Sequence, residues 1–241
     1  GDEMGLGKTV TALALALEYE EEWPALIVCP PMLRFQWREQ ILHWLGHVVG
    51  PGDIQIILSG KNDVSQDAKL VIVPYSLIMQ PHLQRRADGE YFKVVICDES
   101  HYIKEPSSQR TKATVPLLQG ATRAVLLSGT PSLNSAVELH PQLQAVLRTE
   151  LAGFKKFAER YANAKHVRYG GFRHVKYTGV QNEAELGVLL RHLMIRRKKD
   201  EVLKQLPKKR RQRVIVPASD VSALKDAESF FASATANGAL A

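Results

Sequence analysis

The stretch Asp2–Thr9, DEMGLGKT, constrains this chain more than any other. Two glycines followed by Lys-Thr make a loop whose backbone N–H groups can cradle a phosphate chain. In that reading Gly5 and Gly7 let the backbone approach closely, Leu6 and Val10 complete the cradle, Lys8 reaches the β and γ phosphates, and Thr9 holds Mg²⁺ through its hydroxyl. The strict pattern G-x-x-x-x-G-K-[ST] wants glycine at position 2, where this chain has Asp2. On its own the stretch is also compatible with a Gly-rich turn capping a helix that begins near Lys8.

A second stretch decides between these. Val94–Cys97 is a short apolar run of the kind that forms a buried parallel strand, and Asp98 and Glu99 follow it directly in ICDESH. A strand end of that type delivers one carboxylate to a metal ion and the next to an attacking water. The bland alternative for the pair is a structural ion pair, but two adjacent strand-end carboxylates are costly without a cation. The loop and this pair, about ninety residues apart, together read as a P-loop ATPase core that uses ATP and Mg²⁺. A P-loop ordinarily follows a strand, and none precedes Gly1, so the chain is expected to be a piece of a longer protein.

Composition sets the outer limits. The 241 residues are 45% hydrophobic and 24% charged, which is ordinary for a globular chain able to bury a full core. No run approaches the eighteen apolar residues of a membrane span. Cys29 and Cys97 both end apolar runs and read as reduced core thiols rather than as a disulfide or a metal site. The net charge of +7 is concentrated: between Arg196 and Arg213 ten Lys or Arg face only Asp200 and Glu201, so that window carries +8 and the remainder −1. A polyanion met near this window and a solvated basic surface both fit.

Lys8–Tyr19 is rich in Ala and Leu and predicts the helix after the loop, whose N-terminus favours phosphate. Ala25–Cys29, Ile54–Leu58, Leu70–Val73, Phe92–Cys97 and Ala124–Leu127 read as strands. Helices are expected over Leu33–Leu45, where Phe35, Trp37, Ile41, Leu42 and Leu45 recur at helical spacing, over Pro106–Leu118, and over Ala136–Leu147. This alternation predicts an α/β fold, a parallel sheet with helices on both faces, with ligands at the carboxyl ends of the strands. The expected organisation is an ATP-binding lobe over 1–150, a mainly helical extension and basic linker over 151–216, and a loosely ordered tail over 217–241.

With these motifs in view the chain resembles the SWI/SNF-type helicase-like ATPases of superfamily two, whose first motif carries aspartate at the position of Asp2. Leu26–Ile41, Asp98–His101, Leu126–Pro131 with Asn134, and Leu193–Lys209 match further blocks of that family, and the resemblance covers Gly1 to Val216. Phe154–Lys165 and Thr178–Leu186 look most like the HepA-related annealing helicases, which act on branched DNA at stalled replication forks; Gly170–Tyr177 departs from that pattern. The resemblance implies a RecA-like first lobe of a DNA-stimulated ATP hydrolase, with Lys8, Asp98 and Glu99 catalytic, Thr9 and Asp98 on Mg²⁺, and His101, Ser128 and Thr130 coupling the nucleotide to DNA. It implies backbone contacts to duplex or branched DNA, without sequence preference, from Arg34, Tyr75 and Ser76. Trp37 is expected to pack rather than stack on a base. It also implies a second RecA-like lobe as partner, no membrane, and a nuclear location, or a cytoplasmic one in a prokaryote. Since the second lobe brings the arginine fingers, this chain alone is expected to turn over little ATP. An RNA helicase lobe and a nucleotide-binding scaffold without hydrolysis are the competing functions.

Overall fold

Five runs of apolar residues become one parallel sheet because both of its faces are covered. In the computed structural model, which describes residues 1–132, 134–147, 151–169 and 172–205, the strands are β1 (Ala25–Cys29), β2 (Ile54–Ile56), β3 (Leu70–Pro74), β4 (Val94–Cys97) and β5 (Arg123–Leu126). Their order is β2-β3-β1-β4-β5, and every pairing is parallel. β1, β3 and β4 are buried at every position, which explains their continuous rather than alternating hydrophobicity.

Side chains within each strand sort by parity to the two faces. Ala25, Ile27 and Cys29 meet α1 (Lys8–Glu18) through Ala12, Leu13 and Ala16, and meet α2 (Arg34–Leu45) through Trp37, Ile41 and Leu45. Leu26 and Val28 face the opposite side, with Val115, Leu117 and Leu118 of α3 (Gln109–Gly120) and Ala145 of α4 (His140–Val146). Each such fully buried Leu, Ile or Val contributes about 1.5–3 kcal/mol, so this burial, more than helix propensity, holds the strand ends where they are. Phe35, expected on the packed face of α2, is 56% exposed; Trp37, Ile41 and Leu45, at strict four-residue spacing, take the sheet instead. The expected helix after β5 begins as a 3-10 turn, Ala136–Leu139, before α4.

The region after residue 150 contributes α5 (Phe154–Tyr161), α6 (Glu183–Leu193) and the short α7 (Lys199–Val202), and all three lie in one compact unit, Gly1–Lys204, with the sheet. Phe157, Tyr161 and Leu186 pack with Ala136, Leu139 and Leu143 in a third apolar cluster. Between α5 and α6 lies an element that the expectation of a mainly helical extension omits: an antiparallel hairpin of β6 (Asn163–Tyr169) and β7 (Phe172–Thr178). Its sequence signal is Gly170-Gly171 flanked by Val167, Tyr169, Phe172, Val175 and Tyr177, which the density of basic residues obscures. The tail over 217–241 and the basic residues beyond 205 lie outside the described residues.

Candidate functional site

The loop takes the shape its glycines permit. Gly5 and Gly7 have φ of 81° and 79°, a region that a Cβ disfavours, and Gly7 caps α1, whose first residue is Lys8. The first-turn N–H groups of α1 and its dipole therefore stand beside Lys8 and Thr9, the arrangement that suits a phosphate. Leu6, Thr9 and Val10 are half-buried around the turn. The Lys8 ammonium donates to the carbonyls of Asp2 (2.8 Å) and Glu3 (3.2 Å), so the lysine is held within its own loop.

Asp98 is fixed from four directions. Its backbone N–H continues the β1 ladder by donating to Val28 (2.8 Å). Oδ1 accepts from the Glu99 N–H and Oδ2 from the Trp37 indole, both at 2.9 Å, and the Asp98 carbonyl accepts from the Tyr75 hydroxyl, also at 2.9 Å. Glu99 turns the chain out of the strand at φ 48°, ψ 54°, a left-handed conformation uncommon for a non-glycine residue and a mark of local strain. Its Oε2 lies 3.1 Å from His101 Nδ1, within ion-pair distance although not in hydrogen-bond geometry.

These positions correct one sequence expectation. Tyr75 is 1% exposed and spends its hydroxyl on Asp98, so it is out of reach of a DNA backbone and acts as a support for the carboxylate. Burial holds its phenol well above the ordinary pKa, which keeps it a donor. Trp37 packs as expected, and its bond to Asp98 has no signal in the sequence: an indole N–H buried against the sheet needs an acceptor, and only the fold shows which. Ser76 is exposed beyond β3, while Arg34 is tied to the carbonyls of Pro31 and Ile57 at 2.9 Å each.

The DESH and SGTP stretches are physically joined. Ser100 donates its backbone N–H to Leu127 and its hydroxyl to Gln142 Oε1, at 2.8 Å each, and Gln142 Nε2 donates onward to the carbonyls of Pro131 (2.6 Å) and Glu138 (3.0 Å). Ser128 is buried and its Oγ accepts the N–H of exposed Thr130 at 3.1 Å. Gln142, on α4, carries no sequence signal of its own. A cavity of about 420 Å³ brings Asp2, Lys8, Ser100, Ser128 and Gln142 to one place. Its walls are mostly apolar and exclude Gly5, Gly7 and Thr9, so the phosphate site is assigned to the loop and not to this cavity. Among the described residues no group of three or more His, Cys, Asp or Glu forms a metal cage.

Asp2 is 5% exposed and accepts from Arg197 Nε (3.0 Å), Arg197 Nη2 (2.5 Å) and the Arg197 backbone N–H (2.9 Å). The guanidinium bonds hold its carboxyl below the ordinary aspartate range against the opposing effect of burial. The resulting stability is fully present above the ordinary aspartate pKa and is lost as pH falls through the depressed value.

Both cysteines are free and buried; burial pushes the Cys29 thiol up to about 12 and raises that of Cys97 further. Neither thiol is expected to react with a thiol reagent at pH 8 in the native protein, and both should react after denaturation, which a colorimetric thiol titration checks.

Sheet order, loop and strand-end carboxylates together define a nucleotide-binding lobe of the RecA type. The fold is shared with the Sulfolobus solfataricus SWI2/SNF2 ATPase core in complex with dsDNA, which superposes with TM-score 0.64 at 18% identity, covering 86% of this chain and 42% of that one. The SNF2-related domain model matches residues 1–225, and the chain belongs to that family. Among curated proteins it is 42% identical over 218 residues to the DNA annealing helicase and endonuclease ZRANB3 of Bos taurus, covering 88% of this chain and 20% of that protein. It is 41% identical over 224 residues to the SWI/SNF-related matrix-associated actin-dependent regulator of chromatin subfamily A-like protein 1 of Xenopus laevis, covering 92% and 22%. The chain thus spans about a fifth of the length of these curated relatives, and the resemblance to the annealing helicases read from its motifs is borne out.

Proposed function

We propose that this chain is the first lobe of a DNA-stimulated ATP hydrolase that moves along duplex or branched DNA, with strand annealing or fork remodelling as the activity of the whole protein. The observation that carries this reading is the convergence of three separate stretches: Lys8 of the loop, Ser100 of DESH and Ser128 of SGTP meet around one cavity that flanks the phosphate loop, and Asp98, two residues before Ser100, is held by Trp37 and Tyr75. In the proposed chemistry the loop amides and Lys8 bind the phosphates of ATP. Thr9 and Asp98 would hold Mg²⁺, which when bound neutralises charge on the phosphates. Glu99 orients the attacking water and takes its proton. The Ser100–Gln142–Pro131 chain gives the site a route by which nucleotide contacts and the DNA-facing strand ends can move together.

The family and the names of the relatives support DNA over RNA as the polymer. Arg34 and Ser76 remain the proposed backbone contacts. A second lobe as partner and a nuclear location accompany the reading, the latter from relatives named for chromatin and DNA annealing in animals. Among the described residues no helix is long and apolar enough to cross a membrane. The direct test is binding of ATP followed by calorimetry: Lys8→Ala should weaken it at least tenfold, and an unchanged affinity would remove the loop from the site.

A further inference from the structure

Asp2 stands where a strict phosphate loop has glycine, and the structure gives that aspartate a partner from the far end of the lobe. Arg197, in the segment between α6 and α7, closes on it with a two-pronged guanidinium and a backbone N–H. The contact is reinforced on both sides. Glu3 donates its N–H to the Arg197 carbonyl (3.1 Å) and accepts the Lys199 N–H on its carboxylate (2.7 Å). Arg196 donates to the carbonyls of Gly1 (2.6 Å) and Gly129 (3.3 Å), the latter within SGTP. The carbonyls of Asp2 and Glu3, the two residues so held, are the acceptors of the Lys8 ammonium.

We propose that Arg197 is a positioning residue for Lys8, acting through Asp2: it fixes the leading end of the loop so that the lysine is presented to the phosphates. A glycine at position 2 could not receive the guanidinium, which gives a physical reason for the departure from the strict pattern. Because Arg197 lies in the segment between α6 and α7, displacement of that segment would be felt directly at the lysine. Both guanidinium N–H groups converge on Asp2 Oδ2 while the Arg197 backbone N–H takes Oδ1, and removing the guanidinium leaves Asp2 with a buried charge that has lost its counter-ion. The effect on nucleotide rests on the ATP-binding reading given above.

The test uses the whole chain, a fluorescent ATP analogue, and the variants Asp2→Gly, Arg197→Ala, Arg197→Lys, Lys8→Ala and Lys8→Ala/Arg197→Ala. Asp2→Gly restores the strict motif yet should bind the analogue about tenfold more weakly, as should Arg197→Ala, with Arg197→Lys recovering part of the loss. In the Lys8→Ala background, Arg197→Ala should cost nothing further, since the group it positions is gone. Asp2→Gly binding as tightly as the parent, or a full tenfold additional loss in the double variant, would overturn the proposal; the second result would mark the pair as a purely structural tie. A parent chain that bound no nucleotide would refute the functional reading, and the latch would still be decided by amide hydrogen exchange. Arg197→Ala should speed exchange at Glu3 and Leu6 about tenfold, and unchanged rates there would mean that no latch exists.

Discussion

Glu99→Gln is expected to lower ATP hydrolysis by about 10²–10⁴-fold, the range that general-base catalysis supplies, while ATP affinity stays within about twofold. The substitution keeps the shape of the side chain and its capacity to hydrogen-bond, and removes only the ability to accept a proton. The backbone around it argues for function over structure. Glu99 occupies a left-handed conformation, a strain that a structural residue at the end of β4 has no reason to carry. Its carboxylate lies at ion-pair distance from His101 but outside hydrogen-bond geometry, so the imidazole does not occupy it as a hydrogen-bond donor. Single-turnover hydrolysis and equilibrium ATP binding, measured on one preparation of the chain extended through a second lobe, check the prediction. Unchanged turnover with lowered thermal stability would return Glu99 to a structural role.

Trp37→Phe is the second large expectation, and it concerns the metal. The indole N–H is the protein donor to Asp98 Oδ2, at 2.9 Å in the buried interior, and a hydrogen bond to a charged acceptor is worth about 1.5–3 kcal/mol. Outer partners that orient a ligating carboxylate typically account for about 10–100-fold in metal affinity. Phenylalanine fills most of the space against the sheet and leaves Asp98 Oδ2 without its donor, with only the Glu99 N–H still on Oδ1, so in the chain extended through a second lobe the Mg²⁺ concentration for half-maximal ATPase activity should rise about 10–100-fold, with turnover at saturating Mg²⁺ near that of the parent. Tyr75→Phe removes a bond to the Asp98 carbonyl and not to its carboxylate, and should shift the Mg²⁺ requirement less. Equal Mg²⁺ requirements for Trp37→Phe and the parent would show that Asp98 needs no such support.

These two residues also show how far the sequence could be read. Much that depends on local pattern was legible: continuous apolar runs gave all five strands of the sheet, and Gly5, Gly7, Lys8, Asp98 and Glu99 could be proposed for the site because the chemistry expected of them depends on spacing along the chain. What depends on pairing across the chain was not. Tyr75 follows β3 and sits next in sequence to an exposed serine, so only the parallel register of β1 with β3 and β4 shows that its hydroxyl reaches Asp98. Gln142 bridges DESH and SGTP from a helix in which nothing marks it. Arg197 lies in a run of basic residues where no property of sequence separates the member that pairs with Asp2 from its neighbours. The hairpin of β6 and β7 carried a glycine-pair signal that its basic composition masked.

The central claim, that the loop and DESH form a DNA-stimulated ATPase site, is tested most directly by steady-state ATP hydrolysis. The chain alone and the chain extended through a second lobe would each be assayed with no polymer, duplex DNA, forked DNA or single-stranded RNA. The account predicts little turnover by the chain alone and strong stimulation of the extended protein by duplex or forked DNA, abolished by Lys8→Ala. Stimulation by RNA alone, or no turnover by the extended protein under any condition, would contradict it.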